Sequence, residues 1–375
     1  MKKVLIYPVV FLLFGVVAFF FVFNLATPSK GFSEMENRYL DQLPKFSFEA
    51  LLDSSEKGFA QRFESYANDQ FALRDGWIAL KSRCEALLGK KENNGIIYGE
   101  NDYLFEKYRG YDKMRLERNV SLLENFAELV PDVDKYVMIV PASYSVLSEY
   151  MPKGVGNVDQ FTLIDELEQR LEKAGYTAVK VKEQLSAHKN EEIYYKTDHH
   201  WTTLGAWYGY ESFAKSADFT AISPDDSLKK SSDGFWGTYF SKAQKYDAVS
   251  DKIVYYDLPI DSVTINGEHR DGIYDLSQLE VRDKYAMFLH ANNGVTVIEN
   301  KNAENDRCIM VIKDSYANCF APFLTQNYSK VVVIDLRSLP KGLNQVIKDE
   351  KVDDLLILYS FSNLASDTNL PRLKY

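Results

Sequence analysis

Cys308-Ile-Met-Val-Ile-Lys-Asp-Ser-Tyr-Ala-Asn318 passes from five apolar residues directly into Lys313-Asp314-Ser315, and this junction decides the fold. A short uninterrupted apolar run rich in β-branched residues reads as a strand buried on both faces. The polar residues after it mark a turn. Ala317 to Leu324 then reads as a helix, with Pro322 as the place for a kink. A serine at a strand-to-helix turn stands above the sheet edge, where the helix amino terminus offers N–H groups to an oxyanion. This is the geometry of a nucleophile elbow, without its Gly-x-Ser-x-Gly form. A serine at such a turn also serves as a plain helix cap, so chemistry requires partners elsewhere in the chain.

Working outward, the same pattern recurs. Tyr136 to Val140 reads as a buried strand closed by Pro141, and Lys330 to Leu336 and Leu355 to Leu358 as two more. Thr177 to Val181 reads as a further strand. Phe161, Ile164, Leu167 and Leu171 form a helical stripe that ends at Gly175. Apolar strands alternating with helices predict an α/β fold with a mostly parallel sheet covered on both faces. Asn93-Asn94-Gly95 marks a turn, with Ile96 to Tyr98 and Tyr103 to Phe105 as a short hairpin. The stretch near 218–300 has short alternating strands and many turns, and reads as an insertion on one rim. The main domain is set at 91–375.

The amino terminus has a different character. Met1-Lys2-Lys3 precedes an uncharged stretch from Val4 to Ser29. Its apolar core, Val4 to Ala26, has the ~20 residues needed to cross a bilayer. A cleaved signal has a shorter apolar region and small residues before the cut, and Asn24-Leu25-Ala26 is a poor cleavage site. Residues 1–29 are therefore read as a cytoplasmic stub and a single uncleaved anchor. Lys2 and Lys3 stay inside by the positive-inside rule, so the remainder is extracytoplasmic. Residues 30–90 read as a polar juxtamembrane helical segment. Within it, Phe48 to Phe71 places Leu51, Leu52, Phe59, Phe63 and Tyr66 at helical spacings.

Composition excludes some classes. The net charge of −10 argues against nucleic acid, whose binding rests on neutralising phosphates with Lys and Arg. Cys84, Cys308 and Cys319 form neither a disulfide framework nor a zinc pattern. They read as ordinary thiols, and spacing selects no pair.

Tyr195-Lys-Thr-Asp-His-His-Trp-Thr202 holds two of the five histidines beside an aspartate. A helix through Ala206 to Ala214 follows it, capped by Thr202. Three readings compete here. A metal site needs further ligands, and His188, His269 and His290 stand in no recognisable motif. A histidine satisfied by local hydrogen bonds is the plainer reading. The third is a general base whose tautomer is held by a carboxylate. With a serine nucleophile elsewhere, that third reading completes a Ser–His–Asp triad, which is recognised by role rather than chain order. Oxyanion donors are sought in the Ser315 amide, in Phe235-Trp-Gly-Thr238 and in Tyr359-Ser-Phe-Ser-Asn363.

These two segments together resemble the DHHW family, itself similar to alginate O-acetyltransferases of the AlgX and AlgJ type. Ser33-Glu-Met-Glu-Asn-Arg38 and Asn68-Asp-Gln-Phe-Ala-Leu-Arg74 agree with the same resemblance, as do Ile139-Val-Pro141 and Val333-Ile-Asp-Leu-Arg337. It implies an SGNH-like three-layer α/β/α fold with Asp198, His200 and Ser315 as catalytic residues. His199 stands where the alginate enzymes usually carry Thr. His200 is taken as the base because it precedes Trp201. His199, Trp201, Tyr316, Asn318, Gly237 and Asn363 are the candidates for lining the substrate and oxyanion site. The resemblance implies an extracytoplasmic acyl (acetyl) transferase acting on an envelope or exported polysaccharide through an acyl-serine. It also implies a multi-spanning membrane O-acyltransferase as acyl donor. No cofactor or metal is implied. A carbohydrate esterase with the same triad and a non-enzymatic glycan-binding scaffold are the competing readings.

Overall fold

The computed structural model describes residues 2–33, 35–36, 38–49, 58–340 and 342–374. The chain forms two units, Met1–Lys90 with Gln244–Asp247, and Lys91–Ala243 with Ala248–Tyr375.

The larger unit is built on an eight-stranded sheet. Five strands run parallel in the order Tyr328–Ile334, Asn305–Lys313, Asp354–Ser360, Asp134–Val140 and Thr177–Ala178. Three antiparallel strands extend the first of these outward, Val295–Glu299, then Ser262–Ile265, then Glu268–Arg270. Alternation along each strand divides the core. Ile309, Val311, Leu356, Leu358 and Met138 face one layer, while Met310, Ile312, Leu355, Ile357 and Ile139 face the other. The first layer is closed by Ala206, Tyr210 and Phe213 of the helix Thr203–Ser216. The second is closed by Leu116, Val120 and Leu123 of the helix Lys113–Leu129 and by Ile164, Leu167 and Leu171 of Gln160–Lys173. With both faces covered, the middles of the central strands, Cys308 to Ile312, Leu355 to Leu358 and Tyr136 to Val140, are uninterrupted apolar runs, as a buried parallel sheet requires.

Several local expectations change. The strand expected at Thr177 to Val181 stops at Ala178, and Val181 opens the helix Val181–Ala187. The helix expected over Ala317 to Leu324 is two pieces, a 3₁₀ turn Ser315–Asn318 and a helix Ala321–Leu324. Pro322 lies in the first turn of the second piece, where its missing N–H costs nothing. The stretch near 218–300 does more than decorate a rim, because Ser262–Ile265, Glu268–Arg270 and Val295–Glu299 belong to the central sheet. The expected hairpin is a three-stranded sheet, Glu92–Asn93, Ile96–Tyr98 and Leu104–Glu106. The three cysteines are free thiols, with Cys84 exposed and the other two buried.

In the smaller unit the helix Lys2–Ala26 holds a stretch, Tyr7–Ala26, long and apolar enough to cross a membrane. The helices Phe59–Asp69 and Arg74–Leu87 follow. Leu51 and Leu52 of the expected amphipathic helix lie outside the described residues. Reciprocal ion pairs link two of the quoted motifs. Arg38 grips the Asp69 carboxylate with two N–H groups, at 2.8 and 2.5 Å. Arg74 in turn reaches Glu36 at 2.9 Å. The bidentate contact, with the Asp41 amide as a further donor at 2.8 Å, holds the Asp69 carboxyl below its ordinary range.

Close packing fixes the helix Thr203–Ser216 against the chain that precedes it. A Cβ at Gly205 would fall 2.2 Å from the Ile193 carbonyl oxygen and 3.0 Å from the Trp201 Cβ. Both neighbours belong to a backbone bridge that cannot yield cheaply. Gly205→Ala is therefore expected to destabilise the protein by about 1–3 kcal/mol, read as a lower urea midpoint at unchanged slope.

Candidate active site

The parallel strands end together, and the site lies at their carboxyl ends, where open α/β sheets hold ligands. Asn305–Lys313 delivers Asp314 and then Ser315 at the mouth of a 3₁₀ turn. The Asp314 carboxylate is buried and organises this turn. One oxygen accepts the Tyr316 amide at 2.9 Å. The other accepts the Ser360 amide and hydroxyl, each at 2.8 Å, and the Asn363 side-chain amide at 2.7 Å. The serine turn is thus tied to the end of the neighbouring strand. The Ser315 amide N–H has no protein acceptor among the described residues.

Asp198 and His200 arrive on a narrow hairpin. Tyr194 bridges Trp201, and the Thr202 amide donates to the Ile193 carbonyl at 2.9 Å. Thr202 caps the following helix by accepting the Gly205 amide. The tip of the hairpin rests on Asp251, which accepts the Lys196 and Thr197 amides at 2.7 and 2.8 Å. Burial pushes the Asp251 carboxyl up to about 6, against these hydrogen bonds. Trp201 is fully buried, and its indole N–H donates to the Tyr316 carbonyl at 2.8 Å. With the Tyr316 hydroxyl donating back to the His199 carbonyl, that bond registers the histidine hairpin against the serine turn.

In the resulting geometry Ser315 Oγ lies 2.7 Å from His200 Nε2, and His200 Nδ1 lies 2.5 Å from Asp198 Oδ1. Tyr285 stacks on the His200 ring at 3.8 Å between centroids and 10° between planes. Its hydroxyl donates to the Ser315 carbonyl at 2.9 Å. Asp198 Oδ2 accepts the Thr238 amide at 2.7 Å and the Thr238 hydroxyl at 3.1 Å. Having lent its hydrogen there, the hydroxyl takes one from His199 Nδ1 at 2.7 Å. Gly237 must be glycine, because a Cβ would fall 2.2 Å from the Asp198 Cβ.

The electrostatics follow from burial and from two imidazoles beside one carboxylate. Burial opposes ionisation of Asp198, but His199 and His200 outweigh it and hold the carboxyl well below its ordinary range. Burial, with positive charge at His199, pushes His200 down to about 4 despite Asp198. His199 moves the other way, since Asp198 overcomes the burial that would lower it. Around neutral pH His200 is therefore a neutral imidazole, able to accept a proton through Nε2. The ligand atoms of Asp198, His199 and His200 also lie within 4.8 Å of one another. An ion there would displace the Asp198–His200 hydrogen bond.

A cleft of about 240 Å³ opens beside these groups, lined by Glu106, His199, Thr238, Lys242, Tyr316 and Asn363 among others. A larger cavity of about 460 Å³ has Trp207 and Tyr256 in its wall, and neither space is lined by Ser315, His200 or Asp198 themselves; the smaller cleft adjoins them through His199, Thr238 and Tyr316. Of the expected lining residues, His199, Tyr316 and Asn363 do line the cleft. Asn318, Gly237 and Trp201 do not. Asn318 is buried and accepts from Lys313 at 2.6 Å, Gly237 packs on Asp198 and donates to Thr197, and Trp201 is core. The Tyr316 amide is taken by Asp314 and its hydroxyl by the His199 carbonyl. Thr238 and Tyr285 were missed. Thr238 ends the Phe235-Trp-Gly-Thr238 segment singled out for another purpose, whereas no pattern in the sequence marks Tyr285.

The fold is the layered α/β one expected, with a mostly parallel central sheet. The model of the DHHW family, described as "DHHW protein", matches residues 92–334, and the chain belongs to that family. A DHHW family protein of Eubacterium siraeum has the same fold, with 25% identity and a TM-score of 0.64 over 76% of this chain and 96% of its own. Bacillus cereus PatB1, solved with a sulfonyl adduct, is 21% identical, with a TM-score of 0.58 over 75% and 99%. The O-acetyltransferase domain of Pseudomonas putida AlgJ is 13% identical, with a TM-score of 0.48 over 75% and 98%. No curated protein matches the chain.

The depressed His200 has a direct signature. In ¹⁵N-histidine NMR spectra the His200 ring should stay neutral as pH falls through 6.5 and gain its proton only near pH 4. Titration near 6.5 would contradict this.

Proposed function

We propose that the chain is a serine-dependent O-acyltransferase, moving an acetyl group to a hydroxyl of an envelope or exported polysaccharide. The observation that carries this reading is the unbroken series Ser315 Oγ, His200 and Asp198, at 2.7 and 2.5 Å, beside a cleft of about 240 Å³. The resemblance to alginate O-acetyltransferases supports acetyl as the acyl group and a sugar as acceptor. The apolar amino-terminal helix supports action outside the cytoplasm, with a multi-spanning membrane partner as acyl donor.

In the first half-reaction Ser315 Oγ bonds to the ester carbonyl carbon while its proton passes to His200 Nε2. Asp198 stabilises the imidazolium and keeps the ring oriented. The Ser315 N–H donates to the tetrahedral oxyanion. Collapse breaks the bond to the donor oxygen, which leaves with the proton from His200, and acetyl-Ser315 remains. In the second half-reaction a sugar hydroxyl gives its proton to His200 and attacks the acetyl carbon. The new ester departs as Ser315 Oγ recovers its proton. Water in place of the sugar makes the same site an esterase.

The test is turnover of an acetyl-ester reporter by the purified chain, with labelling by a sulfonyl fluoride, which captures activated serines. Ser315→Ala should abolish labelling and lower turnover at least about a thousandfold, and His200→Ala should lower it by a similar factor. Oligosaccharide acceptors added to the wild type should divert acetyl from water to sugar. Turnover and labelling that survive Ser315→Ala would refute the mechanism. Hydrolysis that no acceptor diverts would make the enzyme an esterase.

A further inference from the structure

The smaller unit carries an apolar surface that the proposed chemistry does not use. On the helix Arg74–Leu87, Trp77, Leu80, Cys84 and Leu87 recur at intervals of three, four and three residues, with Leu73 and Leu88 extending the row at either end. At 3.6 residues per turn these six fall on one side of the helix. All are exposed, from 42% for Trp77 to 88% for Leu87. Arg74 and Lys81 flank the row, and Asp75 and Ser82 lie opposite. Leu73 holds a left-handed conformation, φ 59°, which begins the helix abruptly. A soluble protein seldom leaves so continuous a row uncovered.

The position of this helix identifies what covers it. Phe20, within the stretch able to cross a membrane, packs edge-on against Trp77 at 5.6 Å and stacks with Phe71 at 5.8 Å. Asn24 accepts the Ala72 amide at 2.6 Å. Phe20 lies six residues before the end of the span at Ala26, roughly 9 Å along the helix axis. Trp77 therefore sits roughly 9 Å inside the end of the span, among the upper acyl chains and within the ~5–10 Å to which the apolar face of an interfacial helix sinks. The Arg38–Asp69 and Arg74–Glu36 pairs brace the elbow that makes this turn.

We propose that Arg74–Leu87 is an interfacial helix. It lies in the surface of the bilayer that the amino-terminal helix spans, with the Trp77 side immersed among the upper acyl chains and Arg74 and Lys81 at the headgroups. Apolar length on one side and basic residues along its border are the composition of a helix that rests in an interface rather than crossing it.

The full chain offers a selective probe, because Cys84 lies in the row while Cys308 and Cys319 are buried. An environment-sensitive fluorophore on Cys84 is followed in vesicles of phosphatidylcholine and phosphatidylglycerol. Nitroxide on the upper acyl chains should quench it several-fold more than aqueous iodide does. With Cys84→Ser and Arg83→Cys, which moves the dye off the row, this preference should reverse. Leu80→Asp with Leu87→Asp should move the Cys84 dye into water while the chain still floats with the vesicles. A chain that floats but gives an iodide-quenched Cys84 signal overturns the proposal and leaves the row to a protein partner. A chain that does not float overturns it by removing the span on which it rests.

Discussion

The buried carboxylate of Asp314 is the constraint on which the site depends. A carboxylate next to a sheet end is costly to desolvate, and it is tolerated only when its lone pairs are met. Here four donors meet them, and those donors come from Tyr316, Ser360 and Asn363. The hydrogen bonds that make the charge acceptable also fix the serine turn to the adjacent strand and orient the Tyr316 carbonyl. Trp201 then donates to that carbonyl. Two segments 115 residues apart are thereby set to within a hydrogen bond, and the Ser315–His200 contact follows from these attachments rather than from its own strength.

The sequence made legible what depends on local chemistry and concealed what depends on long-range contact. Strands such as Asn305–Lys313 and Asp354–Ser360 announced themselves because burial on both faces leaves their middles, Cys308 to Ile312 and Leu355 to Leu358, continuously apolar. Thr177 to Val181 misled for the same reason, since Val179 and Val181 are buried but serve a loop and a helix start. The 218–300 stretch read as peripheral because alternating strands look alike at a rim and at an antiparallel sheet edge. Asp198, His200 and Ser315 were legible as residue types next to turns. Thr238 and Tyr285 were not, because an amide aimed at Asp198 and a ring laid on His200 leave no trace in spacing.

The motif Asp-His-His-Trp acquires a physical reading in which each member has a separate task. Trp201 is an anchor, buried between the layers and bonded to the serine turn. Asp198 is the shared acceptor, reached by His200 and by the Thr238 amide and hydroxyl. The reciprocal pairs Arg38–Asp69 and Glu36–Arg74 show the same economy in the smaller unit, where two distant motifs are the two halves of one brace.

That leaves the two histidines, which are chemically identical and adjacent, yet are driven apart. Their rings lie 3.8 Å from each other and compete for one carboxylate. Both cannot be protonated cheaply at that distance, because like charges so close repel. His199 has the more exposed ring, and through Thr238 it shares the far oxygen of Asp198. His200 is sealed beneath Tyr285, where a charge would be poorly solvated. The proton therefore settles on His199, and its charge in turn discourages a proton on His200. A threonine in place of His199 would keep a hydrogen-bonding group but lose that charge. His200 would then depend on burial alone to stay neutral, and its affinity for protons would rise because only burial would oppose the pull of Asp198. The first histidine thus acts on the second through the field it creates, without touching Ser315.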